Sequence, residues 1–386
     1  MRFFLFSNDY GGYRMKTAGI VAEFNPFHQG HRYLIQQARS HGADNIICVM
    51  SGNFVQRCEP AFFEKHIRAK SAVDNGADLV IELPFRFSVA SAEKFARGAV
   101  YLLSECGIDT LAFGSECGDR ERLKNIAYTL LDADNSEEFR NELKKGISFA
   151  SARNNILRRH GIDLSLPNDI LAVEYIKALT VLGYDADIFT VRRTDDYLSS
   201  ASEIRSNLLG GEYGILTEDL KKEIYSSRAP AQMDNIEKIL IAFLRNTTEK
   251  DMENVYAVNT EEGMHKRLLA AGKETCLEDV FNAVKTKRFA FSAVKRALLS
   301  AYFRLPDDDT LPPYIRILAM NDKGRAIVRN MRKKTDLPIV SNLSKLRQEP
   351  ECSVFADEER RATDLFNLAL PVPGRGMTEF TDKTSF

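Results

Sequence analysis

The sequence predicts an α/β protein with a doubly wound, Rossmann-like parallel sheet, followed by a mostly α-helical C-terminal domain. Three observations support this prediction. Short apolar runs alternate with amphipathic helical patterns through the first half of the chain. These runs are apolar throughout rather than at every second position, as expected for strands that helices cover on both faces. From about residue 215 the pattern changes to amphipathic helices joined by short polar links.

The predicted elements follow one another as strand–helix–strand units. Strands are predicted at 17–24, 45–52, 77–84 and 108–116, and helices between them at 30–42, 64–76 and 92–107. A further helix at 168–183 leads to a fifth strand at 185–193. Units of this kind build a parallel sheet, in which ligands bind beyond the carboxyl ends of the strands.

The length of 386 residues suits two domains. We predict an extension at 1–14, a nucleotide-binding domain at 15–212, a helical domain at 213–350 and a C-terminal tail at 351–386. The run MKTAGIVAEFNP from Met15 is a natural start for the first strand. The last stretch, 373–386, is polar and aperiodic, which is typical of a loose tail.

Composition argues against several classes of protein. The six cysteines form no CxxC pair and have no regular spacing, which favours reduced thiols over a disulfide framework or a zinc site. No run of 18 apolar residues predicts a membrane span, and the first 14 residues lack the features of a secretory signal. We therefore expect a cytoplasmic protein without a membrane partner. With a formal net charge of −1, any polyanion site must be a local patch.

The stretch EFNPFHQGHRYL at 23–34 follows the first predicted strand and opens the first helix. His28 and His31 are three residues apart, so both rings lie on one face near the helix N-terminus. That end attracts phosphate through its unpaired N–H groups and the helix dipole, and two imidazoles would stabilise charge on a phosphoryl group. Gly30, which has no side chain, would let a purine ring approach the backbone. The alternative is that His28 caps the helix and His31 is a surface residue.

The string NPFHQGH resembles the H-x-G-H signature of the nucleotidyltransferase superfamily. A longer set of motifs resembles the bacterial tRNA(Met) cytidine acetate ligase family over residues 15–347: GIVAEFNPFHQGHRYL, VMSGNFVQR, GADLVIELPF, FGSE, LPNDILAVEYIKAL, SASEIRS, TKRFAFSAVKRAL and YIRILAMNDKGR. The resemblance implies an enzyme that uses ATP to acetylate N4 of the wobble cytidine of elongator tRNA(Met), through an acetyl-adenylate. Its partners would be ATP, acetate and that tRNA.

The resemblance also implies which residues bind the nucleotide. His28 and His31 would be catalytic and contact the ATP phosphates. The nucleotide loop would comprise Val21, Ala22, Glu23, Phe24, Asn25, Pro26, Phe27, His28, Gln29, Gly30 and His31. Mg²⁺ is expected with ATP, and because no carboxylate cage is evident in the sequence it would be carried mainly by the phosphates.

Four further positions complete the nucleotide site that the resemblance implies. Gly114 would let adenosine lie against the backbone. Asn168 would be a nucleotide contact or, alternatively, a plain helix N-cap. Arg192 and Arg193 would reach the phosphates or the acyl group, unless they form a solvated strand end. The hydroxyls of the run SSASEIR and its Arg205 would suit the β- and γ-phosphates.

Two positions depart from the family pattern. Cys58 follows GNFVQR where relatives usually carry glycine, so this turn is expected to differ slightly. Leu198 and Ser199 follow Tyr197 where His-Asp is expected, which leaves the segment 194–200 without an assigned role.

Basic residues are concentrated late in the chain. Between 281 and 347 there are 15 Lys and Arg residues against 5 Asp, with aromatic residues among them. A basic helical surface suits RNA phosphates, and recognition of one cytidine would need that base to be splayed from its stack. The sequence therefore predicts a tRNA-binding role for the helical domain. A solvated helical face is the alternative.

Two other functions remain open from the sequence. A nucleotidyltransferase that adenylylates a small phosphorylated metabolite would share the histidine pair but would not need the basic helical half. A non-catalytic, nucleotide-sensing RNA-binding protein would tolerate loss of the histidine pair. A class I aminoacyl-tRNA synthetase is disfavoured, because no loop resembling Lys-Met-Ser-Lys-Ser follows the fifth predicted strand.

Overall fold

The computed structural model describes residues 15–134, 136–193, 201–213, 216, 218–226 and 228–381. The strands are β1 (Thr17–Ala22), β2 (Asn45–Ser51), β3 (Phe54–Val55), β4 (Glu59–Pro60), β5 (Leu79–Leu83), β6 (Thr110–Ser115), β7 (Asp187–Arg192), β8 (Ile315–Met320) and β9 (Ile339–Val340). The predicted extension at 1–14 lies outside the described residues.

The helices fall into three groups along the chain. The first group is α1 (Gln29–Ser40), α2 (Lys65–Asp74), α3 (Phe85–Ser88), α4 (Ala92–Glu105), α5 (Arg120–Asp134), α6 (Glu137–Lys144), α7 (Phe149–Arg159) and α8 (Pro167–Leu182). The second is α9 (Ala201–Leu209), α10 (Glu218–Tyr225), α11 (Glu237–Asn246), α12 (Met264–Ala271), α13 (Leu277–Val284) and α14 (Phe291–Phe303). The third is α15 (Asp322–Met331), α16 (Pro350–Ala369) and α17 (Thr378–Thr381). No helix among the described residues is both long and apolar enough to cross a membrane.

The main sheet has the strand order β7-β6-β1-β2-β5-β8-β9. The strands β7, β6, β1, β2 and β5 pair in parallel, and they are the five strands predicted from the sequence. From β1 the chain first builds outward through β2 and β5, then returns to place β6 on the other side of β1. This reversal creates a switch point between β1 and β6, where open parallel sheets bind ligands.

The continuous apolar runs of the strands follow from burial on both faces. In β2, Ile47 and Val49 pack into the core layer beneath α4, α5 and α8. The alternate residues Ile46 and Cys48 pack into the layer beneath α1 and α2. Because successive side chains of a strand point to opposite faces, both sets must be apolar. The predicted doubly wound sheet is confirmed.

The helices α11 to α14 form a separate hydrophobic cluster, which confirms a mostly helical second part. Residues 315–340, predicted to lie in the helical domain, return instead to the main sheet. Strand β8 pairs antiparallel with β5, and β9 pairs with β8. The physical reason is that β5 would otherwise be an unpaired, apolar sheet edge. Ile317 and Leu318 of β8 fill the two opposite core layers.

The segment 351–386 is not a loose tail over its described part. Helix α16 is 20 residues long and packs Phe355 into the main core and Phe366 into the helical cluster. The apolar positions of α16 thus face both the main core and the helical cluster, and the helix connects the two. Residues 382–386 lie outside the described part of the chain.

Five charged side chains beneath the sheet form a buried ion cluster, defined as Lys65, Glu82, Arg316, Glu359 and Glu379. Arg316 lies 2.7 Å from Glu82 and 2.5 Å from Glu379, and it is only 2% exposed. Lys65 lies 2.7 Å from Glu82 and also contacts Glu379. Arg316 therefore does not belong to the basic surface predicted between 281 and 347.

Protonation of one carboxyl balances the buried ion cluster. Burial, with Glu82 and Glu379 nearby, raises the pKa of Glu359 well above its usual range, although Lys65 and Arg316 oppose the shift. The neighbouring cations hold the pKa of Glu82 and Glu379 below the usual range in spite of burial. With Glu359 protonated, two cations face two carboxylates, and the cluster is neutral.

Removing Glu379 should be strongly destabilising, because it leaves Lys65 and Arg316 with an uncompensated buried charge. We expect Glu379→Ala to lower the free energy of unfolding by about 3–5 kcal/mol, measured by urea denaturation. The matched control is Glu351→Ala in the exposed first turn of α16, expected to stay within about 0.5 kcal/mol of wild type. Equal denaturation midpoints for the two variants would contradict the assigned role of Glu379.

Candidate functional site

A cleft of about 620 Å³ opens at the carboxyl ends of β1 and β6, at the switch point of the sheet. Its walls come from the β1–α1 loop, the β3–β4 hairpin, the end of β6, the start of α8, the end of β7 and α9. The predicted site residues that line it are Val21, Ala22, Glu23, Phe24, Asn25, His28, Gly30, His31, Gly114, Asn168, Arg192 and Arg193. The fold thus brings together residues that are up to 172 positions apart in the chain. Pro26, Phe27 and Gln29 are not among its lining residues.

The two histidines open α1 and hold each other in place. His28 is the N-cap residue, and its Nδ1 accepts a hydrogen bond from the Gly30 N–H at 3.1 Å. Nδ1 of His31 accepts from the His28 N–H at 3.2 Å. The two rings stack with their centroids 3.8 Å apart. His28 therefore does cap the helix, as the alternative interpretation holds, but it does so while facing the cleft.

Both imidazoles are neutral at physiological pH. Burial, with the Arg193 and Arg205 guanidinium groups nearby, lowers the pKa of His28 to about 4. Burial, with His28 and Arg193 nearby, holds the pKa of His31 well below its usual range. Since each Nδ1 accepts a backbone hydrogen bond, each neutral ring carries its proton on Nε2. The pair thus presents two Nε2–H donors rather than two cations.

Aromatic side chains fix the orientation of His31. The Phe24 ring meets the imidazole edge-on with centroids 4.9 Å apart, and the Phe27 centroid lies at 5.6 Å. Phe27 is buried and packs behind the motif. Phe27, which does not line the cleft, therefore still has a packing role.

Arg68 of α2 supports the loops that form the floor of the cleft. Its guanidinium is completely buried and donates hydrogen bonds to the carbonyl oxygens of Glu23, Ser51, Gly52 and Phe63, at 3.2 Å for Ser51 and 2.8 Å for Phe63. The Glu23, Ser51 and Gly52 carbonyls lie where the chain leaves β1 and β2, and the Phe63 carbonyl lies in the loop before α2. One side chain thus satisfies the backbone of two loops.

Arginine side chains make the cleft electropositive. Arg205 donates to the Asn25 carbonyl at 3.0 Å, and burial together with the neighbouring Arg57 lowers its pKa. Arg57, Arg192 and Arg193 are exposed at the cleft, and no carboxylate pairs with any of their side chains within the described ranges. Converging guanidinium groups without counterions are suited to a polyanion.

Asn168 and Gly114 occupy the wall opposite the histidines. The Asn168 amide donates to the Glu116 carboxylate at 2.7 Å, and that carboxylate also accepts the backbone N–H groups of Asn168 and Asp169. Glu116 thus caps α8 from the neighbouring loop, and Asn168 is not the N-cap residue. A Cβ at Gly114 would come no closer than 3.6 Å to Arg193 within the protein, so packing does not require this glycine.

The lining residues that sequence reasoning missed include Gln56, Arg57, Glu116 and Tyr175. The first three lie within the motifs VMSGNFVQR and FGSE, which are the signals that could have indicated them. Tyr175 lies within a helical apolar pattern that suggests only core packing. The hydroxyls of Ser199 and Ser200, expected near phosphates, lie outside the described residues.

Cys58 has a backbone conformation that glycine adopts more easily. Its φ is +60°, in the left-handed region that favours glycine. The side chain is buried, and its Sγ lies 3.3 Å from the Val89 carbonyl oxygen. The substitution is therefore accommodated by burial of the thiol at the base of the β3–β4 hairpin.

Comparisons with known proteins agree with this geometry. Residues 15–377 match the family model described as HIGH Nucleotidyl Transferase. The chain is 34% identical to a Thermosipho melanesiensis protein named tRNA(Met) cytidine acetate ligase, over 90% of this chain and 89% of the relative. A Syntrophomonas wolfei protein of the same name is 35% identical, over 95% and 98%.

The fold also resembles solved structures. Thermotoga maritima TmcAL bound with alpha-thio ATP superposes with a TM-score of 0.88 at 35% identity, covering 95% of this chain and 98% of that one. The apo form of the same Thermotoga protein gives a TM-score of 0.87 at 34% identity, with the same coverage.

The neutral state of His28 leads to a prediction about pH. The unfolded ring binds a proton below about pH 6.5, whereas the folded ring does so only near pH 4, so His28 lowers stability as pH falls through that window. We expect NMR titration to show a ring pKa of about 4, with His28→Asn used to assign the signal. At pH 7, His28→Asn should keep the cap, whereas His28→Ala should lower the free energy of unfolding, measured in urea, by about 1 kcal/mol. A ring that titrates near pH 6.5 would contradict the neutral assignment.

Proposed function

Because the chain belongs to the tRNA(Met) cytidine acetate ligase family of HIGH nucleotidyl transferases, we propose that it uses ATP to join acetate to a cytidine of tRNA(Met). The single observation that carries the proposal is the pair of Nε2–H donors facing a cleft that arginine side chains also line. The product would be N4-acetylcytidine at the wobble position of elongator tRNA(Met). The six cysteines are free thiols, which suits a cytoplasmic enzyme.

In the first step, an acetate oxygen attacks the α-phosphorus of ATP. The new P–O bond forms an acetyl-adenylate, and pyrophosphate leaves with the electron pair of the broken bond. His28 and His31 would donate from Nε2 to the phosphoryl oxygens as their charge grows, and Arg193 and Arg205 would hold the β- and γ-phosphates. Catalysis would come from positioning and electrostatic stabilisation. Neutral donors suit this step, because they bind the growing charge without repelling the arginines beforehand.

The adenosine would lie between Gly114 and the start of α8. Gly114 has no side chain between the cleft and the backbone, and Asn168 is held nearby by Glu116. No group of three or more His, Cys, Asp or Glu side chains able to hold a metal occurs in the described part of the chain. We therefore propose that Mg²⁺ enters on the ATP phosphates, with its remaining ligands from water.

In the second step, the cytidine N4 attacks the acetyl carbonyl and AMP is released. The tRNA has to present this base at the mouth of the cleft. Helix α14 lies beside the cleft. Its Lys295 pairs with the cleft-lining Glu59 at 2.5 Å, and its Arg296 donates to the Val89 carbonyl at 3.0 Å. The exposed Lys285 and Lys287 precede this helix and would contact RNA phosphates.

The basic residues between 281 and 347 do not form one surface. Those on α14 belong to the helical cluster, whereas α15 packs Ile327 and Val328 on the main sheet. Helix α15 starts against Asp78, at the amino end of β5 and thus at the edge of the sheet opposite the cleft. We assign tRNA binding to the α14 side, because only that side adjoins the cleft.

The reaction can be tested with labelled acetate. Purified protein should catalyse acetate-dependent exchange of pyrophosphate into ATP without tRNA. With tRNA present, label should enter only tRNA that carries cytidine at the wobble position, with one AMP released per acetyl group. AMP covalently joined to a metabolite or to RNA would instead indicate an adenylyltransferase, and neither activity would indicate a binding protein.

The matched active-site control is His28→Asn, which can still cap α1 but has no Nε2–H donor. Loss of one such donor should lower the exchange rate about 10²–10³-fold, as removal of an oxyanion-hole donor does. Exchange close to wild type would show that His28 acts only as a helix cap.

The assignment of the RNA surface predicts unequal effects of charge reversal. Replacing Lys285 and Lys287 with Glu should weaken tRNA binding and reduce the slope of log affinity against log salt by about one unit per lost phosphate contact. The control is the same change at Lys323 and Lys333, which are exposed on the α15 side. Filter binding at several salt concentrations measures the tRNA affinity and its salt slope for both double variants. A larger effect from the control pair would place the RNA on the other side of the molecule.

A further inference from the structure

The second step of the proposed reaction requires a proton acceptor. The N4 lone pair forms a bond to the acetyl carbon, and the carbonyl π-electrons move to oxygen. The C–O bond to the phosphate then breaks, its electron pair leaves on AMP, and N4 must lose one proton. This inference rests on the proposed function and asks which side chain takes that proton.

The histidine pair is not suited to this task. Both Nδ1 atoms accept backbone N–H groups, so both Nε2 atoms already carry a proton. The low pKa of each ring also disfavours a second proton. The two imidazoles are donors in this site.

Three carboxylates line the described cleft, and two of them are committed elsewhere. Glu116 accepts three hydrogen bonds at the start of α8, and these hold its pKa below the usual range even though burial opposes the shift. Glu59 pairs with the Lys295 ammonium at 2.5 Å. Both carboxylates are thus engaged by partners within the protein.

Glu23 is the remaining carboxylate, and it occupies the end of β1 between the histidine motif and the β3–β4 hairpin. Its Oε1 accepts the Gln56 N–H at 2.7 Å, which leaves Oε2 for another contact. The backbone of Glu23 is anchored by Arg68. The Gln56 side chain is held in turn by the Ala90 carbonyl at 3.2 Å, so the hairpin that orients Glu23 is itself fixed.

We propose that the Glu23 carboxylate is the general base that accepts the N4 proton during acetyl transfer and then releases it to solvent. The position is appropriate, since Glu23 and the histidine pair line the same cleft and the acetyl-adenylate must lie between them and the incoming base. Within the described ranges only Oε1 has a hydrogen-bond donor, so Oε2 of this half-buried carboxylate can approach the amine directly, as general base catalysis requires.

The charged groups around Glu23 define its protonation. Arg68 from α2, Arg57 from the hairpin and Arg205 from α9 favour the carboxylate, as does the Gln56 N–H. Tyr175 of α8 and Cys58 are the other titratable groups that sense its charge. Burial outweighs these cations and raises the pKa of Glu23, which moves it toward the range in which a base works at neutral pH.

The test separates acetyl transfer from adenylate formation. Enzyme carrying acetyl-adenylate, prepared with labelled acetate and pyrophosphatase, is mixed with tRNA, and transfer is followed in a single turnover at several pH values. The pyrophosphate exchange rate of Glu23→Gln is measured beside its transfer rate, and transfer should fall far more than exchange, since an amide oxygen can still accept the Gln56 N–H. Its transfer rate should fall about 10²–10⁴-fold, the usual contribution of a general base. The matched control is Glu105→Gln, whose carboxylate bonds Thr335 away from the cleft.

The pH profile distinguishes a base from a structural residue. Wild-type transfer should rise with pH through one ionisation, because only the carboxylate form accepts a proton. Glu23→Asp should keep that rise at a lower rate, and Glu23→Gln should lose it. Transfer by Glu23→Gln at the wild-type rate, or equal loss of exchange and transfer, would overturn the proposal. Absence of acetate-dependent exchange in wild type would instead refute the proposed function, and the role of Glu23 with it.

Discussion

The structure depends on the burial of the Arg68 guanidinium at the carboxyl ends of β1 and β2. These strands end side by side, and the carbonyl oxygens of Glu23 and Gly52 lie just beyond their last residues. A buried carbonyl left without a hydrogen bond costs about 1–3 kcal/mol, and Arg68 satisfies several at once through its planar set of donors. Burial lowers the pKa of Arg68 to about 10, so the side chain remains charged at neutral pH. The path of both loops, and hence the position of Glu23, follows from this one contact.

Helix α2 connects the cleft with the buried ion cluster. Arg68 and Lys65 lie one turn apart on this helix, and both are completely buried. Lys65 contacts Glu82 of β5, and its backbone N–H donates to Asn53, next to the loop that Arg68 holds. Paired buried charges tolerate little displacement, because separating them leaves each without compensation. The cleft is therefore built on a rigid base rather than on mobile loops.

Local pattern was enough to predict the parallel strands, and the family resemblance supplied most of the cleft residues. Continuous apolar runs identify doubly covered strands, and the ends of those strands identify where site residues such as His28 and Gly114 converge. Strand β8 was missed because its place beside β5 is a long-range pairing that its own sequence does not specify. Arg316 was counted as surface charge because its acidic partners are 234 and 63 residues away. The neutral state of the histidines was also not predictable, since it depends on burial and on arginines from β7 and α9.

Glu379 has a consequence for how the chain matures during synthesis. The ribosome makes Lys65 and Arg316 well before Glu379, so a growing chain has two cations to bury and too few counterions to bury them with. Until Glu379 has emerged, burial of both cations leaves them short of a compensating carboxylate, which disfavours the closed packing around them. A carboxylate far from the histidines in sequence thus couples synthesis of the segment around residue 379 to burial of the interior on which the cleft rests.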